Sequence, residues 1–388
     1  MQVVIAHDFM ETYGGAERVT QELAALFPDA PVYAILGRPE VAERMGVGDR
    51  FHSLLEPREP LLRHYRMLAP VFPRILDRQR LPAADILLTS SYAFAHRLRT
   101  LNHAPQVCYL HSPLRFAWSM TDTYQRTWAP GRGRAAAFRW LAARMRERDL
   151  EASRGVGVYL TQSEFVADQV RRFYGREPVI VGAPVDCKRF TPSSEPPGDH
   201  FLVCARLVEP YKRISMVIDA FARLPHRRLV IAGDGPARDR LEARAGANVE
   251  FRGHVQDDEL VGLMQHCRAT IFPSQDDFGL VPVEVMACGR PVLALGRGGA
   301  LHTVRAGVTG EHFADCTPAA LAELIDAFEP ERYEPSAIRE HALRWERATF
   351  ARNVHEVVRA VHENRPGRDR RPVAAPAPAV AEPVEAVA

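Results

Sequence analysis

Short, almost uninterrupted apolar runs recur along this chain, each followed by a polar loop and a stretch with helical spacing, and the series occurs twice. The first series opens at Gln2–Ala6 and continues through PVYAIL, DILLTSS, QVCYLHS, VGVYL and PVIV. The second opens at HFLVCARL and continues through RLVIAGDGP, NVEFRGH, ATIFPS, RPVLAL and TGEHF. Short apolar runs without alternation read as strands buried on both faces, and strands separated by helices build parallel, doubly wound sheets. Between the two series, PVDCKRFTPSSEPPGD is rich in Pro and Ser and reads as a linker. At 388 residues the chain is also too long for one typical domain. The expected class is α/β, with one Rossmann-like domain over 1–183, a linker over 184–198 and a second Rossmann-like domain over 199–344. An amphipathic helix over 345–364 and a disordered Ala/Pro/Val-rich tail over 365–388 complete the chain.

Composition narrows the setting. Apolar residues make up 46% of the chain, enough for two sizeable cores. The six cysteines (Cys108, Cys187, Cys204, Cys267, Cys288, Cys316) form no C-x-x-C pair and suit reduced, buried thiols rather than a disulfide framework. MQVVIAHDF reads as a first strand and not as a signal peptide. No apolar run approaches the roughly 20 residues that span a bilayer. The expectation is a cytoplasmic protein. A net charge of +2 and the absence of a binding motif argue against nucleic acid as partner.

The stretch from Phe272 to Gly299, FPSQDDFGLVPVEVMACGRPVLALGRGG, concentrates polar residues at a strand end. Gly279 opens a loop whose amides a ligand can approach, and Pro282 suits the first turn of a helix. A helix N-terminus favours anions, and flanking carboxylates at Asp276 and Glu284 can accept hydroxyls. A phosphate beside several hydroxyls describes a sugar nucleotide. Glu284 also reads simply as a first-turn carboxylate favoured by the helix dipole, and Asp276 and Asp277 as loop-turn residues.

Other candidates lie at equivalent strand ends, where open α/β sheets bind ligands. Gly14 and Gly15 follow the first strand, where a phosphate contact and a plain tight turn fit equally well. Arg206 and Lys212 follow HFLVCA; alone they read as solvated charge, together as cations for a diphosphate leaving group. No Asp-x-Asp pair stands ready for a divalent ion, so no metal is expected. His111 ends QVCYL, where a histidine serves either packing or proton handling, and His7 and Asp8 close the first strand.

The order GGAE, HSPLRFAW, QSEFVADQVRRFYGR, PVD-x-x-RF, ARL-x-x-x-YK, IAGDGP and PSQDDFGLVPVEVMACGRPV resembles glycosyltransferase family 4, over residues 1 to about 362. That family has GT-B architecture: two Rossmann-like domains facing across a cleft, with retention at the transferred sugar. HSPLRFAW and YKR look most like the bacterial mannosyltransferase branch, which uses GDP-mannose in polysaccharide biosynthesis. The resemblance implies that Gly14 and Gly15 lie near donor phosphate and acceptor, and that His111 touches the transferred sugar. It implies that Arg206 and Lys212 bind the diphosphate, that Asp276 contacts sugar hydroxyls beside the amides of Phe278 and Gly279, and that Glu284 binds the ribose. Retention without a nucleophile implies front-side attack, with the leaving phosphate helping to deprotonate the acceptor. The last helix is expected to cross back to the first domain. No cofactor is expected beyond the nucleotide sugar as co-substrate; oligomeric state stays open.

Three positions depart from the family pattern: Asp276 where Glu is usual, His302 where Glu is usual, and Gln162 where Asn is usual. From Gln125 to Arg148, seven arginines stand against one acid, with Trp128, Phe138, Trp140 and Leu141 interleaved. That stretch suits either a peripheral contact with an anionic membrane, fitting a lipid-linked acceptor, or a solvated helix with its aromatics in the core. The leading expectation is a hexosyltransferase acting on a glycan or lipid-linked acceptor. The competing ones are another donor such as a UDP-sugar, an epimerase or phosphorylase of the same architecture, and a non-catalytic subunit that binds a nucleotide sugar.

Overall fold

Strand β1 (Val3–Met10) is buried along its whole length, and its residues feed two separate cores. Val3 and Ile5 pack with Val19 and Leu23 of the helix Gly15–Leu26, while Val4 and Ala6 pack with Phe72 and Phe94 on the other face. A strand covered on both sides has no use for a polar alternation, which is why it reads as a continuous apolar run. The strand runs on past Ala6, where the apolar run stops, because Phe9 and Met10 still pair with Leu36 and Gly37. His7 and Asp8 therefore stand inside β1 rather than at its end.

The computed structural model describes residues 1–364; the tail expected over 365–388 lies outside the described residues. Beside β1 stand β2 (Val32–Gly37), β3 (Phe51–Ser53), β4 (Ile86–Ser91), β5 (Gln106–Leu110), β6 (Val158–Thr161) and β7 (Val179–Ile180). They form a seven-stranded sheet in the order β3-β2-β1-β4-β5-β6-β7. The second sheet uses β8 (His200–Cys204), β9 (Arg228–Ala232), β10 (Val249–Gly253), β11 (Thr270–Phe272), β12 (Val292–Leu295) and β13 (Gly310–Phe313). Its order is β10-β9-β8-β11-β12-β13. Every pairing in both sheets is parallel. Strand order reverses between β1 and β4 and between β8 and β11, and loops diverging at such switch points leave a crevice beyond the strands' carboxyl ends.

The segment after β7 carries the chain into the second sheet and is tied down on the way, with Val185, Cys187 and Phe190 buried. The Val185 N–H donates to Trp345 O at 2.8 Å, so the return of the chain runs beside its outward crossing. The helix Arg347–Glu363 buries Phe350, Val354, Val357 and Val358, an i, i+4, i+7, i+8 stripe. It lies against the first domain: Phe350 meets the Tyr109 ring at 5.8 Å, and Arg347 Nε is 2.9 Å from Glu22.

Candidate active site

The loop after β11 and the helix Leu280–Ala287 form one wall of the crevice. Gly279 caps that helix at φ +89°, a left-handed conformation that a Cβ would strain. Because the helix starts directly after it, Glu284 stands in the second turn, not the first, and the dipole argument for this carboxylate weakens. The loop is held from below by Gly299, whose N–H donates to Asp276 O at 2.8 Å. A Cβ on Gly299 would lie 2.4 Å from Phe278 Cα, so only glycine allows this approach.

Between the two domains lies a cleft of about 810 Å³. His111, Arg206, Lys212, Asp276, Phe278 and Gly279 line it, and Gly15 joins them from the first domain. Lys212 Nζ lies 2.6 Å from Asp276 Oδ2, while Asp276 Oδ1 is buried without a partner among the described residues. Arg206 is exposed and makes no ion pair among the described residues, so its charge is available to a ligand. The first-domain wall is aromatic instead, with Tyr65, Phe72, Phe94, Phe116, Phe138 and Leu141 along it. At its mouth, Met67 and Trp128 both line the cleft and stand open to solvent, at 79% and 48% exposure.

The Arg-rich stretch thus divides. It forms the helices Thr121–Trp128 and Arg132–Ser153, with Phe138 and Leu141 turned to the cleft and Trp140 turned outward at 71% exposure; Arg132, Arg134, Arg139 and Arg144 of the same helix are exposed as well.

His111 follows β5 at the opposite wall. Its Nε2 lies 2.8 Å from Ser90 Oγ, and its carbonyl accepts from Gln162 Nε2 at 2.8 Å. Burial, with His7 and Arg115 nearby, pushes its pKa well below the ordinary histidine value, so the ring is neutral at physiological pH. Asp8, on the other face of β1, receives Ser91 Oγ and the four backbone N–H groups of Tyr92 to Ala95, which fixes the turn after β4.

Several contacts join the walls directly, Arg115 Nη1 to Tyr211 Oη at 3.5 Å among them. Arg115 ion-pairs with Asp277, Ser163 Oγ donates to Asp277 O at 2.5 Å, and Arg18 Nη1 lies 2.8 Å from Glu284 Oε1. Burial raises the pKa of the Glu284 carboxyl, and Arg18 pulls it back down. Burial likewise raises Asp277, against the pull of Arg115.

Of the residues expected to form the site, Gly15, His111, Arg206, Lys212, Asp276, Phe278 and Gly279 meet in one cleft. Gly14 and Glu284 sit just behind it: the Gly14 N–H donates to Glu17 Oε2 at 2.9 Å, and Glu284 is 5% exposed beneath Arg18. Gln162 lines the cleft, whereas His302 packs on Trp345, ring centroids 6.0 Å apart. The sequence reading missed Arg18, Arg115 and Ser163. Arg115 and Ser163 lie inside quoted motifs (HSPLRFAW, QSEFVADQVRRFYGR) and Arg18 directly follows GGAE, but nothing in one chain says which side chains cross the cleft. Among the described residues, no group of three or more His, Cys, Asp or Glu is placed to hold a metal ion, and no helix is long and apolar enough to cross a membrane.

Two parallel Rossmann-like sheets facing one cation-bearing cleft define a GT-B protein. Anabaena HepE, solved with UDP, superposes with a TM-score of 0.70 over 93% of this chain and 100% of that one, at 19% identity. A Rickettsia africae glycosyltransferase superposes at 0.66, over 94% of this chain and 99% of that one, at 16% identity. The profile described as Glycosyltransferase Family 4 matches residues 13–189, and that described as Glycosyl transferases group 1 matches residues 188–345. The chain belongs to glycosyltransferase family 4. A GDP-mannose-dependent alpha-(1-6)-phosphatidylinositol dimannoside mannosyltransferase of Mycobacterium tuberculosis is 34% identical over 206 residues, 47% of this chain and 53% of that protein. A D-inositol 3-phosphate glycosyltransferase of Mycolicibacterium paratuberculosis is 37% identical over 142 residues, 32% of this chain and 31% of that protein. The chain thus spans about half or less of the length of the curated relatives it matches.

Proposed function

We propose that this protein is a retaining, metal-independent hexosyltransferase that moves mannose from GDP-mannose to a glycan or lipid-linked acceptor in cell-surface polysaccharide biosynthesis. The observation that carries the reading is the convergence of Arg206, Lys212 and Asp276 in one cleft, opposite His111. As the sugar–phosphate bond breaks, negative charge grows on the diphosphate. Two cations already lining the cleft offset that charge, and electrostatic stabilisation of this kind is where catalysis gains most. The free oxygen of Asp276 accepts a sugar hydroxyl, and Gly279, at the helix start, lines the same cleft. Glu284 holds the ribose once Arg18 yields. The mannose assignment draws on the mannosyltransferase relative at 34% identity.

The acceptor side is supported by the aromatic wall. A lipid-linked acceptor would lay its chain along Phe72, Phe94, Phe138 and Leu141 and leave past Met67 and Trp128. Outside that mouth, Trp140, on a helix with exposed arginines, suits a peripheral contact with the anionic, cytoplasmic face of a membrane.

A thermal-shift panel of nucleotide sugars tests the donor, because a ligand that binds only the folded state raises the melting temperature by mass action. GDP-mannose is expected to give the largest shift. A shift with UDP-sugars alone would replace mannose by another hexose, and radiolabelled donor that is bound but never turned over would leave only a binding subunit.

A further inference from the structure

Two adjacent carboxylates in the loop after β11 are drawn to opposite domains. Asp276 turns to its own domain, where Lys212 Nζ lies 2.6 Å from Oδ2. Asp277 turns to the first domain, where Arg115 pairs with it. The proposed transfer chemistry uses Asp276 and Lys212 and leaves Arg115, Ser163 and Asp277 without a role. An ion pair held largely out of water adds little net stability, because desolvation of both charges offsets much of their attraction. What this pair aligns therefore matters more than what it adds.

The backbone of the loop is divided in the same way. The Gly299 N–H donates to Asp276 O at 2.8 Å, and Thr303 Oγ1 lies 3.5 Å from Phe278 O, both from the second domain. The carbonyl between them, that of Asp277, accepts from Ser163 Oγ of the first domain at 2.5 Å. Ser163 can serve both sides. It caps the helix Glu164–Tyr174 with a lone pair, accepting from the Val166 N–H, and keeps its hydroxyl hydrogen for Asp277. Arg115 is itself steadied, with Nε donating to Ser112 Oγ at 3.3 Å and Nη1 at 3.5 Å from Tyr211 Oη. A peptide unit is planar, so fixing the Asp277 carbonyl also fixes the Phe278 N–H. With the domains apart Asp277 loses both partners, and the loop keeps only its second-domain supports.

We propose that Arg115 and Ser163 position the loop through Asp277, so that Asp276 and the Phe278 amide take their working geometry only when the first domain is closed on the second. Both are positioning residues: neither touches the reacting atoms in this scheme. Such coupling withholds the complete site from a donor bound in an open cleft that water can enter. That the loop serves a sugar rests on the transferase reading; its dependence on the first domain does not.

Hydrogen exchange followed by mass spectrometry on the full chain reads the loop directly and needs no substrate. In Arg115→Gln the peptides covering residues 273–281 should exchange about tenfold faster than in wild type, with those of β9 and β10 unchanged. Equal exchange in the loop overturns the proposal. So does a uniform acceleration along the chain, which would mark an ordinary loss of stability. Should Arg115→Gln not fold, Arg115→Gln/Asp277→Asn, which buries no unpaired charge, replaces it with the same expectation. Turnover supplies a second readout: kcat should fall about tenfold to a hundredfold in Arg115→Gln, with the smaller share of the loss in the donor KM. A loss confined to KM overturns the proposal. Arg115→Gln/Asp276→Ala should turn over no more slowly than Asp276→Ala alone, because Arg115 acts through the loop that carries Asp276; a further loss of about tenfold would mean that it acts elsewhere. Absent turnover in the wild type would count against the transferase reading and leave the exchange result to decide the positioning.

Discussion

Arg18, one turn into the first helix of the first domain, and Glu284, in the helix Leu280–Ala287 of the second, hold each other at 2.8 Å across the domain boundary. The carboxylate expected to bind ribose is thus engaged by a cation from the other domain. On the proposed reading, domain closure and donor binding share one group, and a donor's ribose competes with Arg18 for it.

Removing Arg18 should therefore separate stability from affinity. Arg18→Ala leaves a buried carboxylate unpaired, and an expected loss of about 1–2 kcal/mol follows, reduced by the partial exposure of Arg18. Chemical denaturation measures it. The Arg18→Ala/Glu284→Gln double variant should recover most of the loss, because the neutral amide has far less hydration to give up. Donor affinity should rise in Arg18→Ala alone, and an unchanged affinity would remove Glu284 from the ribose site.

Lys212→Ala and Arg206→Ala should each weaken nucleoside-diphosphate binding about tenfold or more, since a charge-assisted contact to phosphate contributes about 1.5–3 kcal/mol. Titration calorimetry with GDP and UDP reads this directly. Lys212→Ala should have the larger effect, because it also frees Asp276 to repel the phosphates. Equal affinities in wild type and both variants would place the diphosphate elsewhere.

His111 gives a pH signature. Its pKa in the fold lies well below the ordinary 6.5 because burial disfavours the charged ring. The unfolded chain takes up a proton as pH falls through that value and the folded chain does not, so stability drops as pH falls below about 6.5. One such group accounts for up to about 1.4 kcal/mol per pH unit. His302 and His341, also pushed down by burial, add to the same slope. In His111→Gln the slope of stability against pH, from denaturant midpoints, should be shallower by that one proton; an identical slope would mean that His111 titrates normally.

The outward Trp140 and its arginines can be tested apart from the cleft. Trp140→Ser with Arg139→Ser should lower sedimentation with phosphatidylglycerol vesicles several-fold and leave nucleotide binding alone. Unchanged sedimentation in that double variant would argue for an ordinary solvated helix.

Much of this architecture was legible because parallel strands buried on both faces write themselves as apolar runs, and helices between them as periodic ones. Asp276, Lys212 and His111 were legible as strand-end polar residues inside specific motifs. The pairing across the cleft was not. Arg18 and Arg115 look like any surface arginine until two domains more than a hundred residues apart in sequence are brought face to face. Glu284 was misplaced by one turn, because the position of a helix start depends on the conformation of Gly279, which composition does not reveal. The end of β1 was read too early for a related reason: His7 and Asp8 are polar, and only their partners on either side make them strand residues.

Those two neighbours have a consequence for assembly. His7 points toward the first helix, where its Nδ1 meets Thr20 Oγ1 and Ser90 Oγ, and Asp8 points away from it, into the amides of Tyr92 to Ala95. Side chains along a strand alternate in direction, so sliding β1 by one residue would exchange the two. A carboxylate would then confront Ser90 and Thr20, and an imidazole would face four amides it cannot satisfy. The central strand is in this way a keyed part: it fits the sheet in one register only, and that register is the one that assembles the cleft.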